Sequence, residues 1–196
     1  MSEQSRHVQF QNTNRWDTKQ LVTMALMCAI SALLMFVQIP LLPMAPFLTY
    51  DPSLVPAMVC GFAYGAGPGV AVGFVAIVIH ALMTGDWVGG LMNVVATLFF
   101  VVPAALLYKR VHTYKGAIVG LALGVVLATV ASVGSNLTIG VWFWYGSVDA
   151  ILPLMLPAVI PFNLIKTVLN SVLTLAVYKA ISNLITPKKD QKKGRA

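Results

Sequence analysis

Near the C-terminus the stretch "PFNLIKTVLNSVLT" at 161–174 carries Asn163, Lys166, Asn170 and Thr174. Spacings of three, four and four residues put all four on one face of a helix, while the other faces are Leu, Val, Ile and Ala. An ammonium, two amides and a hydroxyl form a strip of hydrogen-bonding groups rather than a nucleophile–base pair. A lysine inside an apolar span costs about 2.5–3.5 kcal/mol on insertion scales, so it is expected to face a protein interior or a cavity and to have a partner. The competing reading is that Lys166, about one turn inside the outer end of its helix, snorkels to the headgroups. A second strip, Thr129, Ser132 and Asn136, repeats the spacing on the preceding segment and ends toward the same side. For its Ser and Thr, interhelical hydrogen bonds worth about 0.6 kcal/mol each are a sufficient reading. For the asparagines and the lysine a polar ligand pocket is expected, with Asn93 joining from a third segment.

Catalytic readings find little to work with. His80 has no HExxH spacing and no acidic neighbour within its helix, Ser132 and Ser135 lack a Gly-x-Ser-x-Gly elbow, and no apolar segment pairs two acids. No Walker-type loop is present, so ATP-driven work would fall to another chain. Cys28 and Cys60 lie in apolar stretches without metal-ligand spacing, and neither a disulfide nor a metal site is expected.

The elements that must position these groups follow from composition. In 196 residues, 58% are hydrophobic and 10% charged, with the charges gathered between or outside the apolar runs. This is the pattern of an all-α integral membrane protein. The runs are Leu21–Leu42, Leu54–Tyr64, Val70–Thr84, Gly89–Tyr108, Gly116–Trp144 and Ala158–Ile185. The second and third fall short of the roughly 17 residues a span needs. The "GAGPG" at 65–69 makes them either two short helices or one broken one.

Charge favours two, and therefore six transmembrane helices. Arg6, Arg15 and Lys19, then Lys109, Arg110 and Lys115, then Lys188, Lys189, Lys192, Lys193 and Arg195 share one side only with six spans, which makes both termini cytoplasmic. The organisation read from this is a cytoplasmic N-terminal segment 1–19, a six-helix membrane domain 20–186 and a basic cytoplasmic tail 187–196. About twenty polar residues precede the first full-length run, unlike a cleaved signal peptide, so that helix is expected to be retained. Net charge +7 is assigned to lipid headgroups rather than to nucleic acid.

Trp87, Trp142, Trp144 and Tyr145 sit near the outer ends as interfacial anchors. The outward connections "VQIPLLPMAPFLTYDPSLVP" and "GSVDAILPLMLPAVIP" are long and proline-rich. Apolar loops at that depth need something to cover. Small-residue ridges occur at Gly116/Gly120/Gly124 and at Ala25/Ala29, packing surfaces that serve this chain's own helices or a partner. The chain lacks the repeated halves of a self-sufficient secondary transporter.

From about Lys19 to Lys179 the sequence resembles the substrate-binding S-components of energy-coupling factor vitamin transporters, and among them the riboflavin-binding branch. "PFNLIK" at 161–166 looks like that branch's start of the sixth helix, and "FVVPAALLYKR" at 100–110 with "YKGAIVGLALG" at 114–124 looks like its fourth helix, cytoplasmic loop and fifth helix. The resemblance implies high-affinity riboflavin binding without catalysis or a cofactor, in the cell membrane of a prokaryote. It implies ligand contacts from Asn163, Lys166 and Asn136, with Asn93 and Asn170 as further candidates, and a lid formed by the first outer connection. It also implies that Ala25 and Ala29 face a transmembrane coupling subunit, which works with two ATPases. The alternatives are an S-component for another aromatic heterocycle, such as a pyridoxine-like compound, or a structural membrane protein whose polar strips only pack helices.

Overall fold

The protein is described by a computed structural model covering residues 16–185. Most of the N-terminal segment and the tail 187–196, with the basic clusters read there, lie outside the described residues.

Helix α1 spans Thr18–Met35. The apolar run expected to continue to Leu42 leaves the helix there, because Pro40 and Pro43 lack an N–H and push the residues before them away from helical angles. Phe36 N closes the last turn by donating to Leu33 O at 3.2 Å. The chain then forms a hairpin in which β1 (Ile39–Pro40) pairs antiparallel with β2 (Thr49–Tyr50), Ile39 opposite Tyr50. Two turns lie between them, Ala45 N donating to Leu42 O and Leu48 N to Ala45 O, both at 3.0 Å. Ala45, shared by the two turns, is completely buried.

Helices α2 (Leu54–Tyr64) and α3 (Ala66–Thr84) are separate. Gly65 between them has φ +99°, a conformation that side chains disfavour. Gly69 lies so close to Gly61 that a Cβ on it would stand 2.7 Å from the Gly61 Cα. Along one straight helix those residues would be about 12 Å apart, so the chain doubles back at Gly65. The third run also reaches further than its apolar residues suggested. The "AGPG" at 66–69 joins the first turn of α3, where Pro68 needs no intrahelical donor.

Helix α4 (Trp87–Arg110) is capped by Asp86, whose Oδ1 accepts from Gly89 N at 2.8 Å. Thr113 caps α5 (Tyr114–Ser135) in the same way through Gly116 N at 3.0 Å. The glycine ridge of α5 is spent internally on α4. A Cβ at Gly120 would meet Ala104 O at 2.9 Å, and one at Gly124 would meet Phe100 O at 2.7 Å.

From Asn136 to Tyr145 the helix widens to π geometry and stops at Gly146, φ +73°. The second proline-rich connection, read from the sequence as a loop, is helical from Val148 onward: α6 (Val148–Leu154), a π turn (Met155–Val159) and α7 (Ile160–Ile185). The wider π turn admits Pro157 without the clash its ring would make with an α-helical carbonyl.

Met58, Val72, Phe100 and Leu121 from α2 to α5 form the centre of the core. Large apolar side chains also cover the outside, with Val22, Leu33, Val130 and Trp142 each more than 60% exposed, as a lipid-facing surface requires. Five helical stretches are long and apolar enough to cross a membrane: Thr18–Met35, Ala66–Thr84, Trp87–Arg110, Tyr114–Tyr145 and Val148–Tyr178. Helix α2, roughly 16 Å long, is shorter than the roughly 30 Å hydrocarbon layer. The chain is a helical, multi-pass membrane protein.

Candidate ligand-binding cavity

Asp51 follows β2 directly, and its carboxylate is fixed before any ligand is considered. Its Oδ1 accepts from Ser53 N at 3.2 Å and from the Ser53 hydroxyl, the turn that Asp makes with the backbone two residues on. Ser31 on α1 donates to Ser53 O at 2.6 Å, which ties this turn to the first helix. Its Oδ2 accepts from Lys166 Nζ on α7 at 2.8 Å. The ammonium also donates to Asn93 Oδ1 on α4 at 3.2 Å. Asp51 and Lys166 are both less than 10% exposed. Lys166 therefore turns inward to a partner, and the snorkelling alternative does not hold.

Above this ion pair lies a cavity of about 570 Å³, within the range of small-molecule sites. Lys166, Asn163 and Thr167 line it from α7, Asn93 from α4, and Ser132 and Asn136 from the end of α5. Phe47 of the hairpin, Trp144 and Tyr145 of the π stretch, and Phe162 supply aromatic surface. The tryptophan and tyrosine read as interfacial anchors thus also wall the cavity. Asn163 donates to Val159 O at 2.8 Å and Asn136 to Ser132 O at 2.9 Å, bonds to their own helices that fix each amide and leave its oxygen for another donor. The first outer connection, expected as a lid, lines the cavity through Phe47, Leu48 and Thr49, whereas Asp51 was missed as a site residue. The signal available for Asp51 was Lys166 itself, since a lysine inside a span calls for an acid and Asp51 is one of three aspartates between the apolar runs.

Asn170 does not share the cavity. It is fully buried behind it and donates to Asp51 O at 3.2 Å and to Lys166 O at 2.9 Å, so it positions the ion pair from below. Thr129 of the second strip does not bridge helices as expected either, and it is one of several hydroxyls turned back onto their own helix. Thr129, Ser135, Thr167, Ser171 and Thr174 each donate to the carbonyl four residues earlier in their own helix. Outside the membrane-spanning segments, burial and then the neighbouring Asp51 carboxylate push the Tyr50 phenol above its ordinary pKa.

On the opposite side of α1, Ala25 and Ala29 are exposed together with Leu26, Leu33 and Val22. The ridge is not spent on this chain's own helices.

A polar floor, aromatic walls and one buried ion pair suit a flat heterocycle with a hydrogen-bonding edge. Residues 19–178 match the family model described as ECF transporter, substrate-specific component. The chain is 28% identical over 179 residues to the Riboflavin transporter RibU of Staphylococcus aureus (strain TCH60), covering 88% of this chain and 95% of that one. It is 29% identical over 171 residues to the Riboflavin transporter FmnP of Bacillus subtilis (strain 168), covering 82% and 90%. The solved S component of a bacterial ECF transporter superposes with a TM-score of 0.76 at 28% identity, over 86% of this chain and 98% of its own. With cavity, helices and sequence in agreement, the chain belongs to the substrate-specific components of ECF transporters, membrane proteins of transport rather than enzymes.

Proposed function

We propose that this chain binds riboflavin in the cavity described above and serves its uptake as the S-component of an ECF transporter in a prokaryotic cell membrane. The observation that carries the reading is the pairing of Lys166, Asn93, Asn163 and Asn136 with aromatic walls in one cavity of about 570 Å³. The polar groups match the carbonyl and imide edge of an isoalloxazine or the hydroxyls of a ribityl chain, and the aromatic side chains match its flat faces. The hairpin between α1 and α2 covers the site as its lid. Energy for release comes from a transmembrane coupling subunit with two ATPases, and the exposed Ala25/Ala29 ridge is the docking face for that subunit.

In this reading the chain crosses the bilayer six times with both termini in the cytoplasm. Support comes from the reversal at Gly65, which separates α2 from α3. A cysteine placed at His112, in a background without Cys28 and Cys60, is then shielded from impermeant reagent in intact cells; labelling from outside would refute the six-pass arrangement.

The function is tested by purifying the full chain from flavin-rich medium. A yellow preparation with co-eluting flavin absorbance, and quenching of added riboflavin fluorescence once the flavin is removed, is the expected result. A colourless preparation that does not quench riboflavin would discard the flavin and leave another aromatic heterocycle as the ligand of the same fold.

A further inference from the structure

Two features of this cavity would ordinarily attract an anion. One is the Lys166 ammonium; among the described residues no other lysine or arginine lines the cavity. The other is the N-terminus of α4, a 24-residue helix whose first-turn residue Gly89 is also in the lining. The chain has matched each with a carboxylate of its own. Asp51 Oδ2 lies 2.8 Å from Lys166 Nζ, and Asp86 Oδ1 accepts from Gly89 N at 2.8 Å. Both aspartates line the cavity, so two carboxylates and one ammonium face a ligand there, alongside the His80 imidazole, which is 3.4 Å from Gln38 Nε2.

We propose that Asp51 and Asp86 are specificity-determining residues that make the cavity accept the uncharged flavin and reject its phosphate ester. The inference rests on the riboflavin reading above. A phosphate ester carries a charge of about −1.5 to −2 at neutral pH. To reach Lys166 it must take the ammonium from Asp51, and Asp51 cannot follow it or withdraw. Its other oxygen is held by Ser53, its backbone carbonyl by Asn170, and water reaches only about 5% of it. The exchange strands a buried carboxylate, and bringing the phosphate in without the exchange places like charges together at low dielectric. A neutral polyol meets neither obstacle, because Lys166 has a third N–H to donate and the amides of Asn93 and Asn163 have free capacity. Discrimination here works by disfavouring the wrong ligand rather than by an added contact to the right one.

The test is a fluorescence-quenching titration of the flavin-free full chain with riboflavin and with riboflavin 5′-phosphate, at one ionic strength. Wild type is expected to bind riboflavin at least about tenfold more tightly than the ester. Asp51→Asn is expected to narrow that ratio by about tenfold, and Asp86→Asn by about two- to fivefold, because the exposed Asp86 is screened by water and salt. Asparagine keeps the helix cap at position 86, so this variant removes charge alone and decides the matter if Asp51→Asn does not fold. Equal affinity of wild type for the two flavins would overturn the inference, as would an unchanged ratio in the variants that still bind riboflavin. A wild type that bound neither flavin would instead overturn the function proposed above, and this inference with it.

Discussion

Lys166, Asn163 and Asn170 share a helix face but have different work, and single substitutions separate them. Asn163 is bonded only to its own helix. Asn163→Ala is therefore expected to weaken riboflavin binding by about tenfold to a hundredfold with thermal stability unchanged. Lys166→Ala removes one member of a buried pair and leaves Asp51 uncompensated, so it should lose affinity and also about 3–5 kcal/mol of stability. Asn170→Ala should lower the melting temperature while riboflavin still binds. Quenching titrations and thermal unfolding in detergent, run on the three variants together, check the pattern; equal loss of affinity in all three would mean that Asn170 touches the ligand. The strip itself was legible because helical spacing reports which residues share a face. Asn170's retreat behind the cavity was not, since spacing does not say how deep a face is covered. Asp51 lies 115 residues from Lys166, and no local periodicity links them. Only the electrostatic demand of a buried lysine pointed to an acid, without saying which.

At the level of helices, composition located every long apolar run but misplaced some ends. Proline was decisive in both directions. It ended α1 before the apolar residues ran out, and it was tolerated in the helical stretch that begins at Val148, at Pro153 within α6 and at Pro157 in the π turn. Hydrophobicity alone does not distinguish these outcomes, because the hairpin 36–53 is also rich in large apolar side chains while its backbone bonds to itself. The reversal at Gly65 depends on close approach of Gly69 to Gly61. Gly69→Val is accordingly expected to destabilise the protein by about 1–3 kcal/mol or more, because the obstacle is backbone. Gly134→Val, where nothing lies within 4 Å of the added carbon, serves as the control and should leave the melting temperature unchanged. Similar melting temperatures for the two variants would argue against the close crossing of α2 and α3.

For the molecule as a whole, cavity and ridge are separate surfaces. The cavity is lined chiefly by the hairpin, α4, α5, the π stretch and α7, with Met35 alone from α1, whereas Ala25 and Ala29 are exposed on α1 among lipid-facing side chains. A bulky residue on the ridge should thus leave ligand binding intact. For Ala29→Trp the expected result is normal riboflavin affinity of the isolated protein, together with loss of co-purification with the coupling subunit and loss of uptake in cells. Uptake at the normal rate would place the docking face on another helix.

The hairpin carries a consequence for motion. Internally it is one hydrogen-bonded unit, through the Ile39/Tyr50 pairing and the turns at Ala45 and Leu48, and its polar ties to α1 and α7 all arrive within residues 51–53. A piece bonded to itself and pinned only there and by Gln38, which lies 3.4 Å from His80 of α3, opens as a unit rather than fraying residue by residue. Its amides should then report a single clock. In hydrogen–deuterium exchange, Ala45 and Leu48 are expected to lose protection at one common rate, which Asp51→Asn accelerates for both and bound riboflavin slows for both; two unrelated rates would mean that the cover yields in pieces.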